Sequence, residues 1–285
     1  MISYGQAVVL GLLQGVSELF PVSSLGHSVI LPRLVGWNIH QNDSYFLTFL
    51  VATHLATALV LLGFFWRDWL RILRGLGRSL RDREIAPDDT DAKLGWLLVV
   101  GTIPAGLLGL LLEHKLRSVF ASAQSAAFFL MINGLLLFAA EALRRRAPQA
   151  EEGDPDDRIA RRISWRDAGG VGTIQAAALV PGISRSGVTI AGGLVGGLRH
   201  TEAARFSFLL ATPTILGAGL LEVPLLFARG VPLAEYVLAA VLSGVAAYGS
   251  ARFLLRYFRS GRLDPYGWYC IGAGLIALAL LTFNL

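Results

Sequence analysis

Charge is what this chain has least of. Only 16% of its 285 residues are Asp, Glu, Lys or Arg, while 54% are hydrophobic and the mean hydropathy is +0.57. Soluble domains carry about a quarter charged residues, so that class is excluded and apolar runs of bilayer length are expected. Thiols are almost absent too. Cys270 is the single cysteine, which rules out an internal disulfide or a multi-thiolate metal site and predicts a buried, inert thiol. The first apolar run has no basic stretch before it and no small-residue cleavage site, so no removable signal peptide is expected. A net charge of +5 would suit nucleic acid. The arginines, however, cluster between apolar runs, where cytoplasmic retention and anionic headgroups account for them, and no nucleic-acid partner is expected.

Six long apolar runs are present, at 45–66, 94–112, 123–143, 204–228, 235–255 and 266–285. Each is long enough to cross a hydrocarbon core as a helix. Two further apolar segments, 5–33 and 168–197, are interrupted at their centres by Pro, Gly and Ser. The backbone groups freed there must be met by protein or water rather than lipid, which predicts re-entrant hairpins. The expected fold class is an all-α polytopic membrane protein, with six transmembrane helices and two re-entrant helical hairpins in a single integral membrane domain over 1–285.

Loop charge sets the orientation. Seven Lys or Arg residues lie between 67 and 93 and seven between 144 and 166, whereas 34–44 has none. The basic loops are therefore expected on the cytoplasmic side. The alternation closes if 5–33 enters and leaves from outside, 168–197 enters and leaves from inside, and both termini lie outside. The acidic piece from Glu151 to Asp157 is expected to be a solvated loop.

The halves resemble one another. Gly11-Leu-Leu-Gln14 leads to Pro21 and Ser24, and Gly172-Thr-Ile-Gln175 leads to Pro181 and Ser184; Phe49 to Thr53 matches Phe208 to Thr212. With opposite loop charges, residues 1–143 and 168–285 are expected to form an inverted-topology repeat, whose binding site lies near the midplane where the broken segments meet.

Chemistry concentrates in the two breaks. Gln14 and Glu18 are four apart and share a helix face. Pro21 ends that helix, and Ser23 or Ser24 can cap the next one, which carries Gly26 and His27. The second break, Pro181-Gly-Ile-Ser-Arg-Ser-Gly-Val-Thr189, supplies hydroxyls at Ser184, Ser186 and Thr189 and a permanent cation, Arg185, whose planar fork suits phosphate. Glu18 and Arg185 could merely neutralise each other where the hairpins cross, but burying such a pair is costly and intramembrane ionisable residues are functional by default. Gln14 reads equally as helix glue or as a ligand of a metal or its waters. His54, alone in the first span, reads as an ordinary histidine bonded across helices.

These motifs resemble the undecaprenyl-diphosphate phosphatases, also called bacitracin-resistance proteins. The resemblance rests on Gln14-x-x-x-Glu18 running into Leu19-Phe-Pro-Val-Ser-Ser-Leu-Gly-His27, on Pro181 to Thr189, and more loosely on Thr102-Ile-Pro-Ala-Gly106, and it spans nearly the whole chain. It implies hydrolysis of undecaprenyl diphosphate, a polyprenyl diphosphate lipid, to undecaprenyl phosphate and inorganic phosphate at the outer face of a bacterial inner membrane, recycling the carrier lipid for wall synthesis. It also implies a divalent cation, Mg or Ca, handled by Glu18 with Gln14. Ser24 and His27 would be nucleophile or base. Arg185, Ser184, Ser186, Thr189, Ser23 and Gly26 would hold the diphosphate. Many members have Glu where this chain has Gln14, an oxygen donor without the charge. Ser24 attacking with His27 as base, His27 attacking directly, and activated water all remain open. Membrane lipids are expected neighbours, and a homodimer is compatible with the sequence. A soluble-type acid phosphatase site would need histidine at position 191, which is Ala191. A lipid-phosphate transporter built on the same inverted repeat is the reading from a different class.

Overall fold

The computed structural model describes residues 2–39, 44–119, 122–146, 153–226 and 233–283. The connections at 40–43, 147–152 and 227–232 and the last two residues of the final expected run lie outside the described residues. Among the described residues there are twelve α-helices and no strand. Six of them are long and apolar enough to cross a membrane: α3 (Ser44–Phe64), α5 (Thr90–Val119), α6 (Ala123–Arg146), α10 (His200–Leu226), α11 (Leu233–Tyr257) and α12 (Asp264–Phe283). The chain is a polytopic all-α membrane protein.

Two pairs of shorter helices fold back on themselves. In the first, α1 (Tyr4–Leu19) opens on a capping box, Ser3 accepting from Gln6 N while its own N–H donates to Gln6 Oε1, and stops ahead of Pro21. Ser23 then caps α2 (Ser24–Leu34) by accepting from Gly26 N. In the second pair, Ser164 and Asp167 cap α8 (Trp165–Ile174). A 3-10 turn at Gln175–Leu179 breaks it, and Ser184 caps α9 (Arg185–Val195) by accepting from Gly187 N. The breaks around the prolines, at 20–23 and 180–184, thus carry side-chain caps in place of the lost helical bonds.

Two helices stand where loop charge alone predicts connections. The first, α4 (Trp66–Asp82), buries Ile72, Gly75 and Ser79 against α5. The second, α7 (Pro155–Arg162), starts with Pro155 in its first turn behind an Asp154 cap. The piece Glu151 to Asp157 is consequently not all solvated loop. Asp156 is only 3% exposed, because Arg205 grips its carboxylate with two bonds, at 2.7 and 2.8 Å, and Arg71 adds a third at 3.0 Å. A carboxylate so paired can leave water, which composition could not reveal. Arg158 similarly pairs with buried Glu202.

In the packing, α1 lies along α11 and α8 along α5; α3 packs on both α10 and α11, and α6 on α12. The first hairpin meets α6 and α12 through α2, the second meets α6 and α10 through α9, and the two touch where α1 approaches α9. Pro104 in α5 and Pro213 in α10 interrupt the helical bond ladders beside that junction.

Candidate active site

The junction is held by an amide. Asn133, fully buried in the middle of α6, donates from Nδ2 to Pro21 O at 2.9 Å and accepts at Oδ1 from Ser184 N at 2.9 Å. One side chain thereby ties the turn of the first hairpin to that of the second. Ser23 adds a direct tie, since its Oγ accepts from Gly182 N at 3.2 Å. Ser23 itself has φ +65°, a left-handed conformation uncommon for a non-glycine residue and costing about 1–2 kcal/mol. The turns approach so closely that a Cβ on Gly26 would come within 2.9 Å of Gly182.

This clamp sets a carboxylate against a cation from opposite hairpins. Glu18, 6% exposed at the end of α1, accepts from Arg185 Nη2 at 2.9 Å through Oε1. Its Oε2 accepts from Ser24 Oγ at 2.6 Å and from Gln14 Nε2 at 3.0 Å. Spacing alone could not place His54 here, yet its Nε2 lies 3.3 Å from the same Oε2. Its Nδ1 is held by Leu50 O at 2.7 Å, which fixes the ring. The helix that carries His54 has threonines but no Asp, Glu, Lys or Arg, so the signal was an imidazole on a membrane span.

The cluster forms one end of a cavity of about 680 Å³. Glu18, Ser23, Ser24, His54, Ser184 and Arg185 line that end; Leu47, Leu50 and Val51 of α3, Ala105 and Gly109 of α5, and Gly217 and Leu221 of α10 are among the residues that line the rest. The chamber is thus polar and charged at the hairpins and mostly apolar between three spanning helices, where Thr102 of α5 and Thr214 and Glu222 of α10 are the polar exceptions. A larger and more open depression, about 800 Å³, lies on the basic side and shares no residue with this cluster. Its acids serve structure: Arg78 binds Asp89 with two bonds at 2.9 Å, and this holds the Asp89 carboxyl below its ordinary range.

Not every expected residue faces the chamber. His27 does not line it. Its Nδ1 lies 2.7 Å from Ser23 O, its Nε2 lies 2.8 Å from Tyr269 Oη, and the ring stacks on that tyrosine, so the carbonyl of its own cap turns it towards α12 and away from Ser24. Ser186 donates to Phe20 O at 2.9 Å, and Thr189 pairs with Ser207 Oγ. Neither lines the chamber, nor does Gly26, whose N–H is taken by Ser23. Gln14 is fully buried and presents its amide N–H to Glu18, leaving Oε1 without a hydrogen-bond partner among the described residues. Arg185 Nη1 is likewise without a hydrogen-bond partner there.

The family model described as "Bacitracin resistance protein BacA" matches residues 7–276. The chain is similar to the Undecaprenyl-diphosphatase of Mycolicibacterium paratuberculosis (strain ATCC BAA-968 / K-10), 49% identical over 303 residues that cover 98% of each chain. It is also similar to that of Granulibacter bethesdensis (strain ATCC BAA-1260 / CGDNIH1), 48% identical over 288 residues covering 98% of this chain and 97% of the relative. A third relative, Undecaprenyl-diphosphatase 1 of Burkholderia pseudomallei (strain K96243), is 45% identical over 279 residues, 97% of this chain and 96% of its own.

Proposed function

The chain belongs to the bacitracin resistance protein BacA family, and from that premise we propose that it hydrolyses undecaprenyl diphosphate to undecaprenyl phosphate and inorganic phosphate, with Ser24 as nucleophile and Glu18 as its base. The observation that carries the assignment of roles is the 2.6 Å bond from Ser24 Oγ to Glu18 Oε2, made while Oε1 is paired with Arg185 from the other hairpin. A hydroxyl so oriented is ready to give its proton to the carboxylate as it attacks. The Oγ–P bond forms, the anhydride P–O bond breaks, and the lipid leaves as its monophosphate. Water then cleaves the phosphoserine, with Glu18 relaying a proton back to Oγ. Arg185, with Nη1 uncommitted, and Ser184 at the first turn of α9 would take the phosphate oxygens. Phosphoryl transfer asks for such positioning and charge neutralisation more than for covalent machinery.

The isoprenoid chain would occupy the apolar part of the chamber. The donor set suits a divalent cation only in part. Among the described residues no group of three His, Cys, Asp or Glu side chains could hold a metal ion, and of the two carboxylates that line the chamber Glu18 is the one on a hairpin, Glu222 lying on α10. A Mg or Ca ion held by Glu18 and the substrate's own oxygens fits the way Mg binds phosphate esters. It would neutralise charge on the diphosphate. Gln14 would join only if its amide turned over, setting Oε1 towards Glu18.

An inverted repeat of 1–143 and 168–285 is supported by the exchange of packing partners: α1 lies on α11 as α8 lies on α5, and α2 meets α12 as α9 meets α6. With the basic loops inside, the chamber opens to the outer face of the bacterial inner membrane and both termini lie outside, the position from which a wall-carrier lipid would be recycled. Purified protein is expected to release phosphate from a long-chain polyprenyl diphosphate with Mg or Ca present and not with chelator; binding of the lipid with no release would overturn the assignment in favour of transport. For the topology, Asn38→Cys should react with an impermeant thiol reagent added outside and Glu84→Cys should not, and the reverse pattern would invert the chain.

The two histidines separate the competing mechanisms. His54→Ala is expected to lower turnover about a hundredfold, the cost of a misplaced catalytic group, and His54→Gln to recover part of it by donating an N–H to Glu18. His27→Ala is expected to stay within a few-fold of wild type. Initial rates in detergent measure both, and a larger loss at His27 than at His54 would restore the imidazole of α2 to the mechanism.

A further inference from the structure

The α4 helix has three faces, of which the protein covers one and pairs part of another. At 100° per residue, Ile72, Gly75 and Ser79 fall on a side that is buried against α5. A second side carries Trp66, Leu70, Leu73 and Leu80, all exposed, Leu73 at 57% and Leu80 at 63%. The third is a row of arginines at 67, 71, 74, 78 and 81, spaced four and three apart. Three of these are committed: Arg71 to Asp68 and Asp156, Arg78 to Asp89, and Arg81 to Asp82. Arg67 lies over the Trp66 ring, 5.2 Å from its centroid, and Arg74 has no acidic partner among the described residues.

The depth of the helix follows from its neighbours. It begins two residues after span α3 ends at Phe64, and it packs on the opening turns of span α5, where Gly75 meets Ala92, Ile72 and Leu76 meet Gly95, and Trp96 Nε1 donates to Ser79 Oγ at 2.9 Å. Its packed turns therefore lie beside the ends of two spans, the level at which those spans are expected to leave the hydrocarbon. A helix at that level with an apolar stripe beside a row of cations has the character of an interfacial helix.

We propose that α4 is a lipid-binding helix lying along the membrane surface on the basic side of the chain, its Trp66–Leu80 stripe in the acyl boundary and Arg67 and Arg74 on the phosphates of anionic phospholipids. The charge complementarity selects the occupant: uncommitted guanidinium groups flank the stripe, and no acid falls on it. This surface is separate from the chamber, so its test does not depend on the catalytic assignment.

The full chain in bilayer nanodiscs allows the test, because Cys270 is fully buried and a new cysteine can be spin-labelled selectively. A nitroxide on Leu73→Cys should collide freely with oxygen and little with a nickel chelate, and one on Glu84→Cys should do the opposite. Equal access of the chelate to both would overturn the proposal. So would spin–spin broadening at 73, which would mean that a second copy covers the stripe. The ratio of phosphatidylglycerol to phosphatidylcholine retained through purification should fall about fivefold for each arginine lost in an Arg67→Gln/Arg74→Gln variant. An unchanged ratio would refute the anionic-lipid assignment.

Discussion

Arg185→Ala is expected to abolish measurable turnover and leave the folded protein in the membrane, and Glu18→Ala is expected to do the same. Among the described residues lining the chamber Arg185 is the only basic side chain apart from His54, so removing it deletes the charge that would meet the diphosphate. Loss of a single preorganised group aimed at developing charge costs about 10²–10³ in rate, and in the proposed mechanism the group would also bind the ground state. The fold should survive, because the hairpins stay tied by Asn133, by Ser23 to Gly182, and by Ser186 to Phe20 O. Glu18 would still accept from Ser24 and Gln14. Arg185→Lys keeps the charge and loses the fork, and should therefore recover only part of the rate. Phosphate release together with thermal unfolding in detergent measures both quantities; full activity in either alanine variant would refute a site shared between the hairpins.

How far this arrangement could be read from residues alone differs from one part to the next. The six spanning helices follow from hydropathy, since only an internally bonded helix can carry the backbone across lipid. That Glu18 and Arg185 meet, 167 residues apart, was legible because a carboxylate and a guanidinium inside a membrane need one another. Which way a side chain turns on a short helix was not. His27 and Ser24 are three residues apart and share a face by spacing, yet the carbonyl of Ser23 and the hydroxyl of Tyr269 hold the imidazole on the far side. His54 could be read as polar, but its neighbour could not, because the contact to Glu18 depends on how α3 packs against the first hairpin. The matching stretch of the second half has Pro213 at that place, so internal similarity gave no hint. The three faces of α4 were present in the arginine spacing, but the charge count behind the expected orientation treats the segment as a loop.

Asn133→Leu should have the other large effect, and it should act on both stability and rate. The substitution is close to isosteric and suits an apolar helix, so hydropathy alone forecasts a neutral or stabilising change. The structure forecasts the opposite. Asn133 is the common partner of Pro21 O and Ser184 N, two backbone groups at irregular turns inside the membrane, where neither can find a helical partner. Leaving Ser184 N buried and unpaired, and Pro21 O with only the long bond from Cys270 Sγ at 3.8 Å, costs about 1–3 kcal/mol for each group lost. The loss also releases the second turn from the first, so that Arg185, which follows Ser184 directly, is no longer held at bonding distance from Glu18. Turnover should drop along with the unfolding temperature. Gly182→Ala probes the same junction from the other side: its Cβ would stand 2.3 Å from Ala126 O on a backbone with φ +107°, so α6 and the second turn would have to part. If the asparagine amide is the tie, both variants lose activity and stability together, and Asn133→Gln, which can donate and accept but reaches one carbon further, falls between them and wild type. An Asn133→Leu protein with unaltered melting and unaltered turnover would mean that the hairpins hold each other without α6, and that the geometry of the site rests on Ser23 and the turn glycines alone.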